Sequence, residues 1–302
     1  MMLLMNAHGT GQGTTYRKQS VPVAGGEMTV GVWGDDGSLV VLVHGITASH
    51  MTWALVGPEL SRDYRVVGVD LRGRGGSREL PPPYGIAAHA VDVAAVVEAY
   101  GGGPAIVVGH SMGAWVAVET ARQYPLLVER LVLVDGGAPL PAPAGIDAAA
   151  GDADIDEVIA ATIGPAYARL SMTFADRESY REMWRAHPSF GTWSDAIQSY
   201  VDYDLVGEPP LMRPACRLDV ALRDARDLYA FDGVEPAAPP VPAVLLRAER
   251  GMLNDEMPFY QPGYASTWLP GVVESTVAGV NHYTITLGPG GADAVTAAVR
   301  AG

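Results

Sequence analysis

The chain has 302 residues, 48% of them hydrophobic and 18% charged, proportions that fit one large globular domain or a core with an insertion and exclude a disordered chain. Its 20 Lys plus Arg stand against 34 Asp plus Glu, a formal charge of −14, and Lys18 is its one lysine. A nucleic-acid partner or an anionic membrane surface would need a basic patch, so a small or neutral ligand is the expected partner.

The first residues, "MMLLMNAHG", are too short an apolar stretch for a signal sequence or a membrane span and carry no basic leader, so a cytoplasmic protein is expected. Strands are predicted from β-branched runs at 28–33, 39–45, 64–70, 105–111, 130–136, 243–249 and 272–279. Between several of them lie stretches such as "AAHAVDVAAVVEAYG" and "MGAWVAVETARQYP", whose apolar residues recur at three and four. Strands that are apolar throughout and joined by helices imply a mostly parallel sheet covered on both faces. Two Gly/Pro-rich breaks, at 136–145 and 233–242, interrupt the alternation. Between them come helical pieces, "DIDEVIAATIG" at 154–164 and "DRESYREMWRAH" at 176–187, and no convincing strand. Residues 138–235 are therefore expected to form a helical lid inserted into a core made of 1–137 and 236–302. Cys216 is the one cysteine, which excludes an intrachain disulfide, and no Cys/His cluster has the spacing of a zinc site; neither metal nor cofactor is expected.

Chemistry is concentrated at "VVGHSMGAW", residues 107–115, where Ser111 stands between Gly109 and Gly113 at the exit of a strand and the entrance of a helix. This is the pattern of a nucleophile elbow, in which the serine takes strained backbone angles and flanking glycines let the two elements pack closely. A hydroxyl there sits in the field of the helix N-terminus, and the free N–H of Met112 can point at an oxyanion. In "VLVHGITAS", His44-Gly45 ends a strand and offers the Ile46 N–H as a second donor. The turn "DLRGRGGS" at 70–77 has a structural explanation: Asp70 and Arg72 can pair or satisfy backbone groups, and its glycines permit tight bends. His282 follows the last strand-like run, in "VAGVNHYTI".

Taken in order, "HG" at 44–45, "DLRGRGGS" at 70–77, "GHSMG" at 109–113 and "NH" at 281–282 make the chain resemble the α/β-hydrolase family, in its lid-bearing subgroup of esterases, lactonases and carbon–carbon bond hydrolases. The resemblance implies that Ser111 is the nucleophile, His282 the general base and acid, and the Ile46 and Met112 amides the oxyanion hole. Of the other histidines, His8, His50, His89 and His187 read as exposed or structurally satisfied, and His44 and His110 as shaping the oxyanion loop and the elbow.

The third triad member has two possible sources. In most of the family the acid follows the strand that reads "AVLLRAERGML" here, but Gly251 stands where that aspartate would be. Some dehalogenases and the lactonase type that opens zearalenone take the acid from the strand after the elbow helix, where this chain has Asp135. Asp135 is preferred, with Asp255, Glu249 and Glu256 as substitutes; its role would be to fix the histidine tautomer and stabilise the imidazolium. Ten of the 23 aromatic residues lie in the predicted lid, Phe231 among them, and Trp184 and Trp193 are the candidate pocket walls. The expected activity is hydrolysis of a hydrophobic carboxylic ester or lactone through an acyl-enzyme. Three rivals are a carbon–carbon bond hydrolase of vinylogous diketones, a cofactor-free haloperoxidase or perhydrolase, and a small-molecule receptor on the same scaffold. A homodimer is compatible with such a lid.

Overall fold

The computed structural model describes residues 16–140, 167–229 and 235–302. Its strands are β1 (Arg17–Val23), β2 (Gly26–Trp33), β3 (Ser38–Val43), β4 (Tyr64–Val69), β5 (Ala105–His110), β6 (Val128–Val134), the two-residue β7 (Leu205–Val206) and β8 (Arg213–Pro214), then β9 (Ala243–Ala248) and β10 (Val273–Val277). Eight of them make one sheet in the order β1-β2-β4-β3-β5-β6-β9-β10. The pairs β1/β2 and β2/β4 are antiparallel and all the others are parallel. This is the α/β-hydrolase fold, with a mostly parallel sheet.

The central strands are apolar on both faces because both faces are covered. Val41 and Val43 of β3 and Val107 of β5 join one core, while Val40 and Leu42 of β3 and Ile106 and Val108 of β5 join the other. Side chains alternate across a strand, so adjacent valines serve opposite layers. The first layer is closed by α2 (Ile86–Ala99) and α3 (Met112–Gln123), and the second by α1 (Val56–Leu60) and the last helix, Pro289–Arg300. All seven expected strands are present. β1 was not foreseen: "RKQSVPV" buries only Val21 and holds Pro22, as an edge strand with one paired side can.

Between β6 and β9 the described residues contain three longer helices, α4 (Arg177–Arg185), α5 (Asp195–Tyr203) and α6 (Leu218–Ala225), with the β7/β8 ribbon, which the sequence did not suggest. Phe174, Tyr180, Trp184, Phe190 and Tyr200 form a separate apolar cluster there with Ala48 and Leu287 of the sheet domain. The helix expected at 154–164, His8 and Phe231 lie outside the described residues. The remaining helices are α7 (Tyr264–Trp268), α8 (Thr284–Leu287) and α9 (Pro289–Arg300). No helix among the described residues is long and apolar enough to cross a membrane.

Candidate active site

The parallel strands β3, β5, β6 and β10 end on one side of the sheet, and the candidate residues sit in the loops that follow. At the end of β5 Ser111 has φ 52° and ψ −128°, a conformation that L-residues rarely hold. The crowding that holds it there is visible in the glycines. A Cβ on Gly109 would run into the Gly113 carbonyl, one on Gly113 into the Val43 carbonyl, and one on Gly136 into the Ser111 carbonyl. Met112 is the first residue of α3, so its N–H is among the first-turn amides that no helical carbonyl can reach.

The loop after β3 is set by His44. Its Nδ1 donates to the Gly45 carbonyl at 2.7 Å and its Nε2 accepts from the Leu71 N–H at 3.0 Å, so its tautomer is fixed and its ring is neutral. Burial pushes the imidazole down to about 3, against the pull of nearby Asp70. Gly45 lies against Ser111, where an added Cβ would be 3.5 Å from Oγ, and Ile46 lines the same pocket as Ser111.

His282 and Asp135 are brought together from residues 147 apart. Nδ1 of His282 donates to Asp135 Oδ2 at 2.7 Å, and the other carboxylate oxygen accepts from the Ala248 N–H at 3.0 Å. That leaves Nε2 of His282 as the acceptor, in the pocket that Ser111 also lines. Asp135, like Ser111, has a positive φ, 46°. The other acids do not reach this histidine: Glu249 accepts from the Gly279 N–H at 2.7 Å, Asp255 from the Met257 N–H at 3.1 Å, and Glu256 is exposed. A side chain at Gly251 would collide with the Met257 carbonyl, so this loop has no room for the aspartate of the commoner arrangement.

The histidine loop has further supports that the sequence did not reveal. Oδ1 of Asn281 accepts from the N–H groups of Tyr283 and Thr284 at 3.0 and 2.9 Å, and its amide donates to the Ser189 carbonyl at 2.9 Å. His110 Nε2 donates to the His282 carbonyl at 2.9 Å, and burial, then the neighbouring His282, holds the His110 imidazole well below its ordinary value. Phe259 lies with its ring 4.6 Å from that of His282.

The pocket over Ser111 is lined by Ile46, Ala48, Leu140, Tyr200, Leu228, Met252, Phe259 and Tyr283, with Thr47, Thr52 and His110 as its polar members. Trp184 and Trp193 are not among its walls, which corrects the expectation. Trp184 is buried among Tyr180, Phe190 and Tyr200, and Trp193 stacks under Arg185 and donates to Gln198 at 3.3 Å. The turn at 70–77 also differs in detail. Asp70 accepts from the His50 N–H and Nδ1, from Gly76 N–H and from Tyr203 Oη, whereas Arg72 pairs with Asp92. His50 and His89 are both buried and bonded to aspartates, Asp70 and Asp224. Among the described residues no group of three or more His, Cys, Asp or Glu is placed to hold a metal ion.

A family model described as alpha/beta hydrolase fold matches residues 38–193. N-formylmaleamate deformylase of Pseudomonas putida is 39% identical over 104 residues, 34% of this chain and 39% of that protein. A putative carbamate hydrolase of Caulobacter vibrioides is 36% identical over 129 residues, 42% of this chain and 44% of that one. The chain thus spans less than half the length of these curated relatives. Among solved structures, E-2-(acetamidomethylene)succinate hydrolase superposes with a TM-score of 0.74 at 22% identity, covering 95% of this chain and all of that one. The thioesterase domain from the curacin biosynthetic pathway gives 0.71 at 19% identity, over 94% and 99% of the two chains. At those identities the likeness is one of fold.

Proposed function

The chain belongs to the alpha/beta hydrolase fold family, and from that premise we propose that it is a serine hydrolase cleaving an uncharged, hydrophobic carboxylic ester or lactone. The observation that carries the reading is the convergence of a strained Ser111 and a His282 bonded at Nδ1 to Asp135 on one apolar pocket. In this reading Nε2 of His282 takes the Ser111 proton as Oγ attacks the carbonyl carbon, and the oxyanion forms between the Ile46 and Met112 N–H groups. Collapse expels the alcohol, which receives that proton from His282, and the acyl group stays on Oγ. Water, deprotonated by the same nitrogen, then releases the acid and restores Ser111. Asp135 stays ionised and holds the imidazolium in orientation.

Charge favours a neutral substrate. Two of the relatives are named for maleamate and succinate compounds, which carry carboxylates. The described residues that line this pocket include no lysine or arginine, the nearby Arg74 being paired with Asp224 and Arg169 with Asp204, and the undescribed stretches 1–15, 141–166 and 230–234 contain neither type. An anionic acyl group would be desolvated there without a counter-charge. A second reading, cleavage of an amide-type bond by the same residues, is favoured by the deformylase and carbamate hydrolase among the relatives.

Hydrolysis of p-nitrophenyl esters, aromatic lactones including zearalenone, and matched anilides by wild type and variants tests this. Ser111→Ala is expected to lose about 10⁵-fold or more in kcat and Asp135→Asn about 10⁴-fold, with Asp255→Asn within twofold of wild type. Turnover retained in Ser111→Ala would overturn the reading. Anilides cleaved faster than esters would move it to the amide bond.

A further inference from the structure

The loop that carries Ile46 is held at one carbonyl after another, and not by the core alone. The Gly45 carbonyl accepts from His44 Nδ1 at 2.7 Å and from the Ala48 N–H at 3.2 Å. The Ile46 carbonyl accepts from Arg74 Nε at 2.9 Å. The peptide planes on either side of the Ile46 Cα contain these two carbonyls, and each plane is rigid. The Ile46 N–H lies in the plane of the Gly45 carbonyl, and anchoring the next plane at the Ile46 carbonyl restrains φ and ψ of Ile46 and so limits rotation of the plane that carries the N–H.

Arg74 can serve as that second anchor only because something offsets its charge. Its side chain is fully buried, and a guanidinium without a counter-ion in such a place would cost more than any hydrogen bond returns. The counter-ion is Asp224, likewise buried, on α6 in the segment between β6 and β9, which ion-pairs with Arg74 Nη1. Burial works to lower the Arg74 pKa, and Asp224 foremost, with Cys216 and Tyr167, more than offsets it, so that the guanidinium stays charged. Asp224 is itself aimed by the core, accepting from the Gly85 N–H at 2.7 Å and from His89 Nε2 at 2.8 Å.

We infer that Arg74 and Asp224 are a positioning pair that aims the Ile46 N–H at the oxyanion, so that the segment between β6 and β9 contributes to transition-state stabilisation through residues that do not meet substrate. This rests on the reading of Ile46 as an oxyanion donor. A donor aimed at the oxyanion acts on the transition state more than on the bound ester, so its misalignment lowers kcat and spares KM.

The test compares Arg74→Lys, Asp224→Asn and Arg72→Lys by kcat, KM, the Ki of a boronic acid that mimics the tetrahedral adduct, and melting temperature. Lysine keeps a charge for Asp224 but lacks the fork that reaches the carboxylate and the Ile46 carbonyl together. Arg72 is equally buried in the same turn, but it bonds to Asp92 and to the Ala24 and Pro81 carbonyls, away from this loop. Arg74→Lys and Asp224→Asn are expected to lower kcat about 10–100-fold, keep KM within twofold and weaken the boronic acid by the same factor as kcat. Arg72→Lys is expected to lower the melting temperature and leave the kcat of the folded enzyme within twofold. Should Arg74→Lys not fold, Asp224→Asn carries the comparison. Unchanged kcat in the folded variants, or kcat and boronic-acid affinity falling equally in Arg72→Lys, would overturn the inference. Ser111→Ala in the same assay separates the two readings: if it is inactive while the Arg74 and Asp224 variants are normal, only the positioning pair fails.

Discussion

Ser111 and Asp135 share a backbone feature that marks them apart from their chemistry: each has a positive φ without being glycine, at 52° and 46°. Such conformations cost about 1–3 kcal/mol each, and the packing of Gly109, Gly113 and Gly136 supplies the compensation. Ser111→Gly is therefore expected to be as inactive as Ser111→Ala but more stable than it by about 1 kcal/mol, after the extra unfolded-state entropy of glycine is deducted. Urea unfolding of the two variants measures this, and equal midpoints would show that the serine is not strained. The elbow was legible in the sequence because its pattern is local, Gly109 to Gly113, even though Val43 and Gly136 also crowd it. Asp135 was legible only indirectly, through the glycine at 251 that closes the other location. The pocket walls were not legible: Phe259, Tyr283 and Met252 reach Ser111 through the packing of the loops after β9 and β10. Trp184, expected as a pocket wall, is instead what the α4–α5 cluster packs around.

At the scale of elements, the alternation of β-branched runs with 3.6-period stretches revealed every strand of the parallel part of the sheet, because buried parallel strands are apolar on both faces. It missed β1, whose pairing shows in backbone bonds to β2 and not in side-chain pattern. Nor does spacing reveal how α5 is fixed. Its final residue, Tyr203, donates to Asp70 at 2.7 Å, its last turn places Tyr200 in the pocket, and Ser194 caps its start by accepting from the Ile197 N–H at 3.2 Å. Ser194 is exposed and is not among the residues that line the Ser111 pocket, so its loss isolates the cap's contribution. Ser194→Ala is expected to lower stability by about 1 kcal/mol, read as a shift in the urea midpoint, with KM for esters raised less than twofold. A KM rising several-fold would mean that this helix end sets the pocket more directly than its capping bond suggests.

For the whole molecule, pH is the variable on which these buried groups act together. His44 is held neutral in the fold down to about 3, against an ordinary 6.5, and His110 is lowered in the same direction, both first by burial. When the chain unfolds below pH 6.5 each imidazole gains a proton that the folded state refuses, so stability falls as pH falls through that window. The slope is about 1.4 kcal/mol per pH unit for each group, and for His44 the full span is worth about 5 kcal/mol. Asp70 acts lower down. Burial works to raise its carboxyl, but His50 and the other donors around it hold it at about 2, below the ordinary 3.8. Its share of stability is therefore present above about pH 4 and is lost as pH falls through 2. Between pH 7.5 and 5.5 Asp70 stays ionised, and His44 and His110 together are expected to remove about 3 kcal/mol from the urea-unfolding free energy, with the half-buried His187, also lowered first by burial, acting in the same direction. His44→Asn keeps a donor for Gly45 but cannot titrate, so its loss over the same interval is expected to be about half, whatever its stability at pH 7.5. A wild-type unfolding free energy that does not change between the two pH values would mean that these imidazoles are charged in the fold, which would break the Leu71 bond that fixes His44 and the geometry of the loop carrying Ile46.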